Sequence, residues 1–180
     1  MAQSGTQPDW ERFIAMLDPQ SGDRILDVGA GKGDKAAIIL QAFPGTEVFA
    51  VDPNERRISE AKRDHPDVRS TVAGAEKLPF DDASFDKAYS TMALHHFSDL
   101  DKALAEVSRV VRTGGSYVIL EVEPGSPLGR LFRFLGRLMG EKMQMMTEEE
   151  LLSRLERAAG FHVTRSVSLG SRYLIQLSRI

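Results

Sequence analysis

The stretch Arg24-Ile25-Leu26-Asp27-Val28-Gly29-Ala30-Gly31-Lys32-Gly33 sets the reading of everything around it. Ile25, Leu26 and Val28 make a short buried strand, and the glycines at 29, 31 and 33 then bend the chain toward the helical pattern after Asp34. Strand, glycine turn and helix form a nucleotide-binding layout, because glycine admits positive φ and lets a ligand approach where a Cβ would block it. Two details narrow the ligand. A dinucleotide fingerprint G-x-G-x-x-G needs its third glycine where the chain has Asp34, and Gly33 comes one residue early. Asp27, ending the strand, repels a pyrophosphate and attracts an ammonium or a sulfonium. The site reads as one for a cationic ligand.

A second carboxylate agrees. Asp52 closes the apolar run Val48-Phe49-Ala50-Val51, 19 residues beyond Gly33, close to the roughly 20 expected of an acid that binds ribose hydroxyls. Asp27-Val28-Gly29-Ala30-Gly31-Lys32-Gly33 followed by Ala50-Val51-Asp52-Pro53 resembles the first two motifs of the class I S-adenosylmethionine-dependent methyltransferases. The run Gly74-Ala75-Glu76-Lys77-Leu78-Pro79-Phe80, with Ser84-Phe85-Asp86 opening a fourth strand, is similar to the third. The likeness covers nearly the whole chain from Arg24 and is closest in kind to the small quinone- and sterol-type methyltransferases, the type 11 domain. Two positions depart from that pattern. Gly74 stands where the family usually has an Asp that accepts from the adenine amino group, and Thr113 replaces the usual Pro before Gly114-Gly115.

The resemblance implies an α/β fold: a Rossmann-like, doubly wound, seven-stranded sheet, mostly parallel, with one antiparallel strand in a C-terminal hairpin. It implies S-adenosyl-L-methionine as cofactor, S-adenosyl-L-homocysteine as product, and no metal. Asp27 and the backbone of Gly29, Ala30 and Gly31 would hold the methionine portion, with Ser90 and Thr91 nearby. Asp52 would accept from both ribose hydroxyls beside Pro53. Gly74, Ala75 and Glu76 would lie against the adenine, with Glu76 available to replace the missing acid.

The chain has 180 residues, a net charge of −3 and no cysteine. That length suits a single domain with one sizeable core. The scattered basic residues argue against a nucleic-acid substrate, and disulfides, thiolate metal sites and cysteine nucleophiles are excluded. The polar start, Met1 to Pro8, lacks the regions of a signal peptide, and no run approaches a membrane span, so a cytoplasmic protein without stable membrane insertion is expected, as a monomer or homodimer.

The expected organisation is a cap helix in 1–23, a cofactor-binding core in 24–121, an insert in 122–146, and a helix with a β-hairpin in 147–180. In the cap, Trp10, Phe13, Ile14 and Leu17 share a helical face, and Trp10 and Phe13 either help close the site or simply pack on the sheet. The insert departs from the α/β repeat. Leu128, Leu131, Phe132, Phe134, Leu135, Leu138 and Met139 alternate with Arg130, Arg133 and Arg137, and Met143, Met145 and Met146 follow. It reads as a lid over an apolar substrate, with Met143 and Met146 as substrate contacts, as an ordinary packing helix, or as a membrane-surface or dimer helix.

The loop after the fourth strand, Ser90 to Phe97, should face the reactive end of the cofactor. Methyl transfer is an in-line displacement, so the protein chiefly aligns the reactants and excludes water. Where the acceptor is a hydroxyl or an acidic carbon a base helps, and His95 and His96 are the candidates, with at most one expected to reach the substrate. Glu121, ending the fifth strand, either polarises an acceptor or is a solvated strand end. Asp81, Asp82 and Asp86 read as solvated carboxylates. The resulting expectation is a methyltransferase acting on a small or medium apolar acceptor at an unassigned O, C or N atom. The alternatives are an S-adenosylmethionine-binding sensor or partner subunit without turnover, and an NAD-dependent oxidoreductase.

Overall fold

The glycine-linked strand β1 (Arg24–Val28) buries Ile25, Leu26 and Val28 completely. It pairs in parallel with β2 (Glu47–Asp52) on one side and β4 (Phe85–Thr91) on the other. With β3 (Arg69–Val72), β5 (Val111–Val122), β6 (Phe161–Ser168) and β7 (Arg172–Arg179) they form one seven-stranded sheet, in the order β3-β2-β1-β4-β5-β7-β6. β7 runs antiparallel to both neighbours, β5 and β6. The computed structural model describes residues 8–138, 140, 143–157 and 160–180; the polar start up to Gln7, Met139 in the insert, and Ala158 and Ala159 before the expected helix end at Gly160 lie outside the described residues.

Strand alternation sends successive side chains of β1 to opposite faces. Ile25 joins Val48 and Ala50 of β2 under Phe13, Leu17, Ala36 and Ile39, from α1 (Pro8–Leu17) and α2 (Asp34–Ala42). Leu26 and Val28 join Phe49 and Val51 on the other face, under Leu104, Val107 and Val110 of α4 (Leu100–Val110). Both faces are covered, so the central strands read as unbroken apolar runs.

The helix starts follow local chemistry. Asn54, not Pro53, caps α3 (Glu55–Asp64), its side chain accepting from the Arg57 N–H. Asp99 caps α4 by accepting from Lys102 N–H, and Thr147 and Glu150 form a reciprocal capping box on α6 (Glu148–Leu155). The fifth strand starts earlier than the Thr113-Gly114-Gly115 turn suggests. Phe85 pairs with Val111 and Lys87 with Ser116, so a two-residue step on β4 faces a five-residue step on β5. Arg112 to Gly115 absorb the excess as a bulge, with Gly114 at φ +79° and Gly115 so close to β4 that a Cβ there would lie 2.5 Å from the Asp86 carbonyl oxygen.

The order of the strands reverses direction between β1 and β4. Chains leaving the carboxyl ends of these strands diverge to opposite faces and open a crevice there, where open α/β sheets bind ligands. The glycine turn follows β1 at this point, the His95 loop follows β4, and α5 (Pro127–Leu138) lies beyond β5.

Candidate active site

A cleft of about 740 Å³ opens above these strand ends. Gly29, Asp52, Pro53, Asn54 and Arg57 line one part of it, with Gly74, Ala75 and Glu76. The chain can turn so tightly there because Gly29, Gly31 and Gly33 all take left-handed φ, at +83°, +58° and +78°. The N–H groups of Gly29 and Ala30 both donate to the Val51 carbonyl, which ties the turn to the end of β2. Ala93 sits directly on Gly29, where an added Cβ would be 2.5 Å from its methyl carbon.

Asp52 is nearly buried and doubly held. Its Oδ2 accepts the Gly31 N–H and its Oδ1 the Asn54 N–H, each at 2.9 Å. Each oxygen keeps lone-pair capacity toward the cleft, the arrangement needed to accept from two vicinal hydroxyls.

Asp27 is 1% exposed and is not among the residues that line the cleft. The Tyr89 hydroxyl donates to its Oδ2 at 2.8 Å, while Oδ1 has no hydrogen-bond partner. Burial pushes its pKa up to about 7; the Tyr89 bond and Lys35 oppose that, and Asp52 adds to it. A buried carboxylate with one unused oxygen fits an ammonium group. The Ser90 hydroxyl donates to the Val28 carbonyl and bonds the Tyr117 hydroxyl, and half-buried Thr91 ends β4. Neither they nor Ala30 and Gly31 line the cleft.

Glu76 is anchored at the start of α4. Its Oε1 accepts from Ser98 N–H at 2.7 Å, Ser98 Oγ at 2.9 Å and Asp99 N–H at 3.2 Å. Partial burial works against its ionised form, but the bonds from its own backbone, Ser98 and Asp99 outweigh it and hold the carboxyl below the usual range. A Cβ added at Gly74 would meet the Glu76 Oε2 at 3.0 Å. The second oxygen of Glu76 thus occupies the space next to the missing acid.

His95, His96, Phe132, Leu135, Gly136 and Met143 also line the cleft. Both histidines line it, in the 3₁₀ turn Leu94–His96, with their rings 4.2 Å apart. Glu121 is not a solvated strand end. It is 4% exposed, its Oε1 accepting the Leu94 N–H and its Oε2 the His95 Nδ1–H at 2.9 Å. That pairing fixes the ring, and in the tautomer with the proton on Nδ1 it leaves Nε2 to accept.

The family model for a methyltransferase domain matches residues 26–119. The chain belongs to that family. It is 33% identical to a demethylmenaquinone methyltransferase of Thermus thermophilus, over 88% of this chain and 84% of that one. It is 35% identical to the ubiquinone/menaquinone biosynthesis C-methyltransferase UbiE of Rubrivivax gelatinosus, over 69% of this chain and 51% of that one, so it spans about half of that relative. An S-adenosylmethionine-dependent methyltransferase of Mesorhizobium loti has the same fold, with a TM-score of 0.80 at 21% identity and coverage of 97% and 99%. The protein is an S-adenosylmethionine-dependent methyltransferase, which sets aside the oxidoreductase and the binder without turnover.

Several residues of the methyltransferase sit away from where the sequence put them. Trp10 and Phe13 do not line the cleft. Phe13 is fully buried edge-on to Tyr89, and Trp10 stacks on Phe13 with the Lys35 ammonium over its ring, so the apolar face of α1 packs on the sheet. Met143 lines the cleft, whereas Met146 packs against the larger core cluster and its carbonyl accepts from the Tyr173 hydroxyl. Asp82 pairs with Arg109, and Asp86 with Arg112 and the Arg24 N–H. Among the described residues no group of His, Cys, Asp and Glu is placed to hold a metal. Asn54, Arg57, Phe132 and Leu135 were missed singly; only their places, one turn past Asp52 and within the insert, signalled them.

The glycine turn yields a paired prediction. Gly29→Ala combines a left-handed φ with a 2.5 Å overlap, while Gly31→Ala meets nothing within 4 Å. Backbone strain of this kind costs roughly 1–3 kcal/mol, and each kcal/mol lowers the Tm of a chain this size by about 2–4 °C. Thermal unfolding should show the larger drop for Gly29→Ala. Equal drops would mean that Ala93 yields freely.

Proposed function

We propose that this methyltransferase moves a methyl group from S-adenosylmethionine to a ring carbon of a small or medium apolar acceptor of the hydroquinone type, in the cytoplasm, as a monomer or homodimer. The observation that carries this reading is one cleft lined both by a polar set, Asp52, Asn54 and Glu76, and by an apolar set, Phe132, Leu135 and Met143, with an oriented histidine in its wall. The two relatives named above, by their names, act on quinone precursors, and one is called a C-methyltransferase.

When bound, S-adenosylmethionine supplies a methyl group on a cationic sulfur. Asp27, helped by Tyr89, receives the ammonium of its methionine portion; the turn from Gly29 to Gly31 lets that portion lie close to the backbone. Asp52 accepts from the ribose hydroxyls beside Pro53, and Ala75 and Glu76 face the adenine across Gly74. His95 Nε2 would take the hydroxyl proton of the acceptor and so raise electron density on the ring carbon; the carbon–methyl bond would form as the sulfur–methyl bond breaks, and the ring C–H proton would then leave as the aromatic ring and the hydroxyl are restored. Glu121 holds the ring and stabilises the imidazolium that forms. His96 stands next to it as a second wall of the reacting region. Phe132, Leu135 and Met143, the apolar side chains of the insert that line the cleft, would exclude water.

Two measurements check these roles. Asp52→Ala should weaken S-adenosylhomocysteine binding by roughly 1.5–3 kcal/mol, the range for a hydrogen bond to a charged group. An unchanged Kd in calorimetric titration would remove Asp52 from the ribose. For the acceptor, S-adenosylhomocysteine formation is compared across prenylated hydroquinones, catechols and carboxylic acids. Fastest turnover is expected with the hydroquinones, and a preference for the carboxylic acids would overturn the acceptor class.

A further inference from the structure

Helix α5 is built the wrong way round for a packing helix. Leu131, Phe134, Leu135 and Leu138 are 50%, 59%, 46% and 69% exposed, whereas the helix's buried residues are Gly129 and Gly136. At about 100° per residue the four apolar side chains fall within an arc of about 100°. The two glycines lie on the opposite side, Gly129 against the body and Gly136 beside the cleft. Gly129 is pressed onto Glu123 and Pro124 so closely that a Cβ would come within 2.2 Å of the Glu123 carbonyl oxygen. An amphipathic helix normally buries its apolar stripe; here small residues bring the helix close and turn the stripe outward.

The charges beside the stripe are all of one sign. Arg130, Arg133 and Arg137 occupy the adjoining arc, all exposed, and α5 contains no acidic residue although the chain as a whole carries a net charge of −3. An apolar stripe flanked by arginines is what a helix needs to lie in the headgroup region of an anionic bilayer, with rings and methyls in the acyl boundary and guanidinium groups on phosphates. The same helix walls the cleft. Leu135 belongs to the outward stripe and also lines the cavity with Phe132 and Gly136.

We propose that the outward face of α5 docks this methyltransferase on an anionic lipid bilayer, with the apolar part of the cleft at the membrane surface. An acceptor dissolved in the bilayer could then enter past Leu135 without crossing water; that last step, but not the docking, rests on the apolar-acceptor reading above. No described helix is long and apolar enough to cross a membrane, so the attachment is peripheral and reversible.

The test is flotation of the full chain with vesicles of phosphatidylcholine plus phosphatidylglycerol, against pure phosphatidylcholine, with no acceptor or turnover involved. Binding to the anionic vesicles that falls with added salt is expected. Replacing all three arginines, R130Q/R133Q/R137Q, should weaken it on the order of a hundredfold, from about 1 kcal/mol per basic side chain at such a surface. L131S/F134S/L138S should abolish it, and both variants should bind S-adenosylhomocysteine as the parent does, which shows that they are folded. Equal binding to neutral vesicles, or no binding to either, overturns the proposal. So does a dimer in light scattering that L131S/F134S/L138S dissociates while the parent ignores vesicles, since the face then belongs to a second copy. Failure to methylate hydroquinones would leave the vesicle result standing and would count against the acceptor class alone.

Discussion

Asp27→Asn is expected to weaken S-adenosylhomocysteine binding by roughly 2–4 kcal/mol near neutral pH, the cost of losing one member of a buried charge pair, a factor of about 30 to 1,000. It should also flatten the pH dependence of binding. In the parent, burial holds Asp27 protonated up to about pH 7, and its Oδ1 stands without a partner. The ammonium of the ligand needs the carboxylate, so binding must displace that proton. Apparent affinity should therefore rise about tenfold per pH unit as pH climbs toward 7, then level off. Stability of the unliganded protein should run the other way. The folded pKa of about 7 lies above the ordinary value of 3.8, so the stability linked to this group is complete below about pH 4 and is lost as pH rises to about 7, on the order of 4 kcal/mol in total. Asp27→Asn removes that loss, and above pH 7 the unliganded variant should melt higher than the parent while binding ligand worse. The depressed carboxyls, Glu76 and Asp86 among them, act in a separate window below about pH 4.5. A variant that binds less and also melts lower at alkaline pH would mean that Asp27 is a structural acid.

His95→Ala should lower kcat by about 10²–10⁴-fold, the usual share of a general base, and leave the Kd for S-adenosylhomocysteine within a factor of about two. The loop should survive the change. The Leu94 and Val122 N–H groups still reach Glu121, and the bond from Gln144 N–H to the carbonyl of residue 95 uses only backbone. Glu121→Gln separates positioning from chemistry. It keeps the shape but weakens the hold on Nδ1, so kcat should fall less than in His95→Ala and its pH profile should shift while KM changes little. A loss in His95→Ala that appears wholly in cofactor affinity would reassign the residue to the cofactor seat.

Where local rules and tertiary packing coincide, the sequence was a good guide. The place of Asp52 in the cleft wall was legible from a carboxylate at the end of a buried run, at that spacing from a glycine turn, and the sheet from the order of apolar runs and turns. The rest depended on contacts that no local pattern encodes. Thr113-Gly114-Gly115 looks like a loop, yet those residues are a bulge inside β5, because α4 delivers the chain straight to Val111, which already pairs with Phe85 of β4. Trp10 and Phe13 carried the signature of a lid and of a packed face equally, and Tyr89 and the sheet claimed them. Glu121 could not be seen as the partner of His95, since the two are 26 residues apart and meet only because β4 and β5 are neighbours. In α5 the apolar periodicity was plain and its direction was not; Gly129 and Gly136, on the side opposite the leucines, were the available sign that the stripe faces out.

In the proposed reaction the cleft joins a sulfonium methyl to a ring carbon, with His95 taking a hydroxyl proton. The direct measurement is incubation of the protein with S-adenosylmethionine carrying a deuterated methyl and a short-chain prenylated hydroquinone, with the product resolved by mass spectrometry and NMR. One deuterated methyl on a ring carbon is expected, with both hydroxyls intact, and no such product from His95→Ala on the same timescale. Label on oxygen, or S-adenosylhomocysteine formed without any labelled hydroquinone, would contradict it.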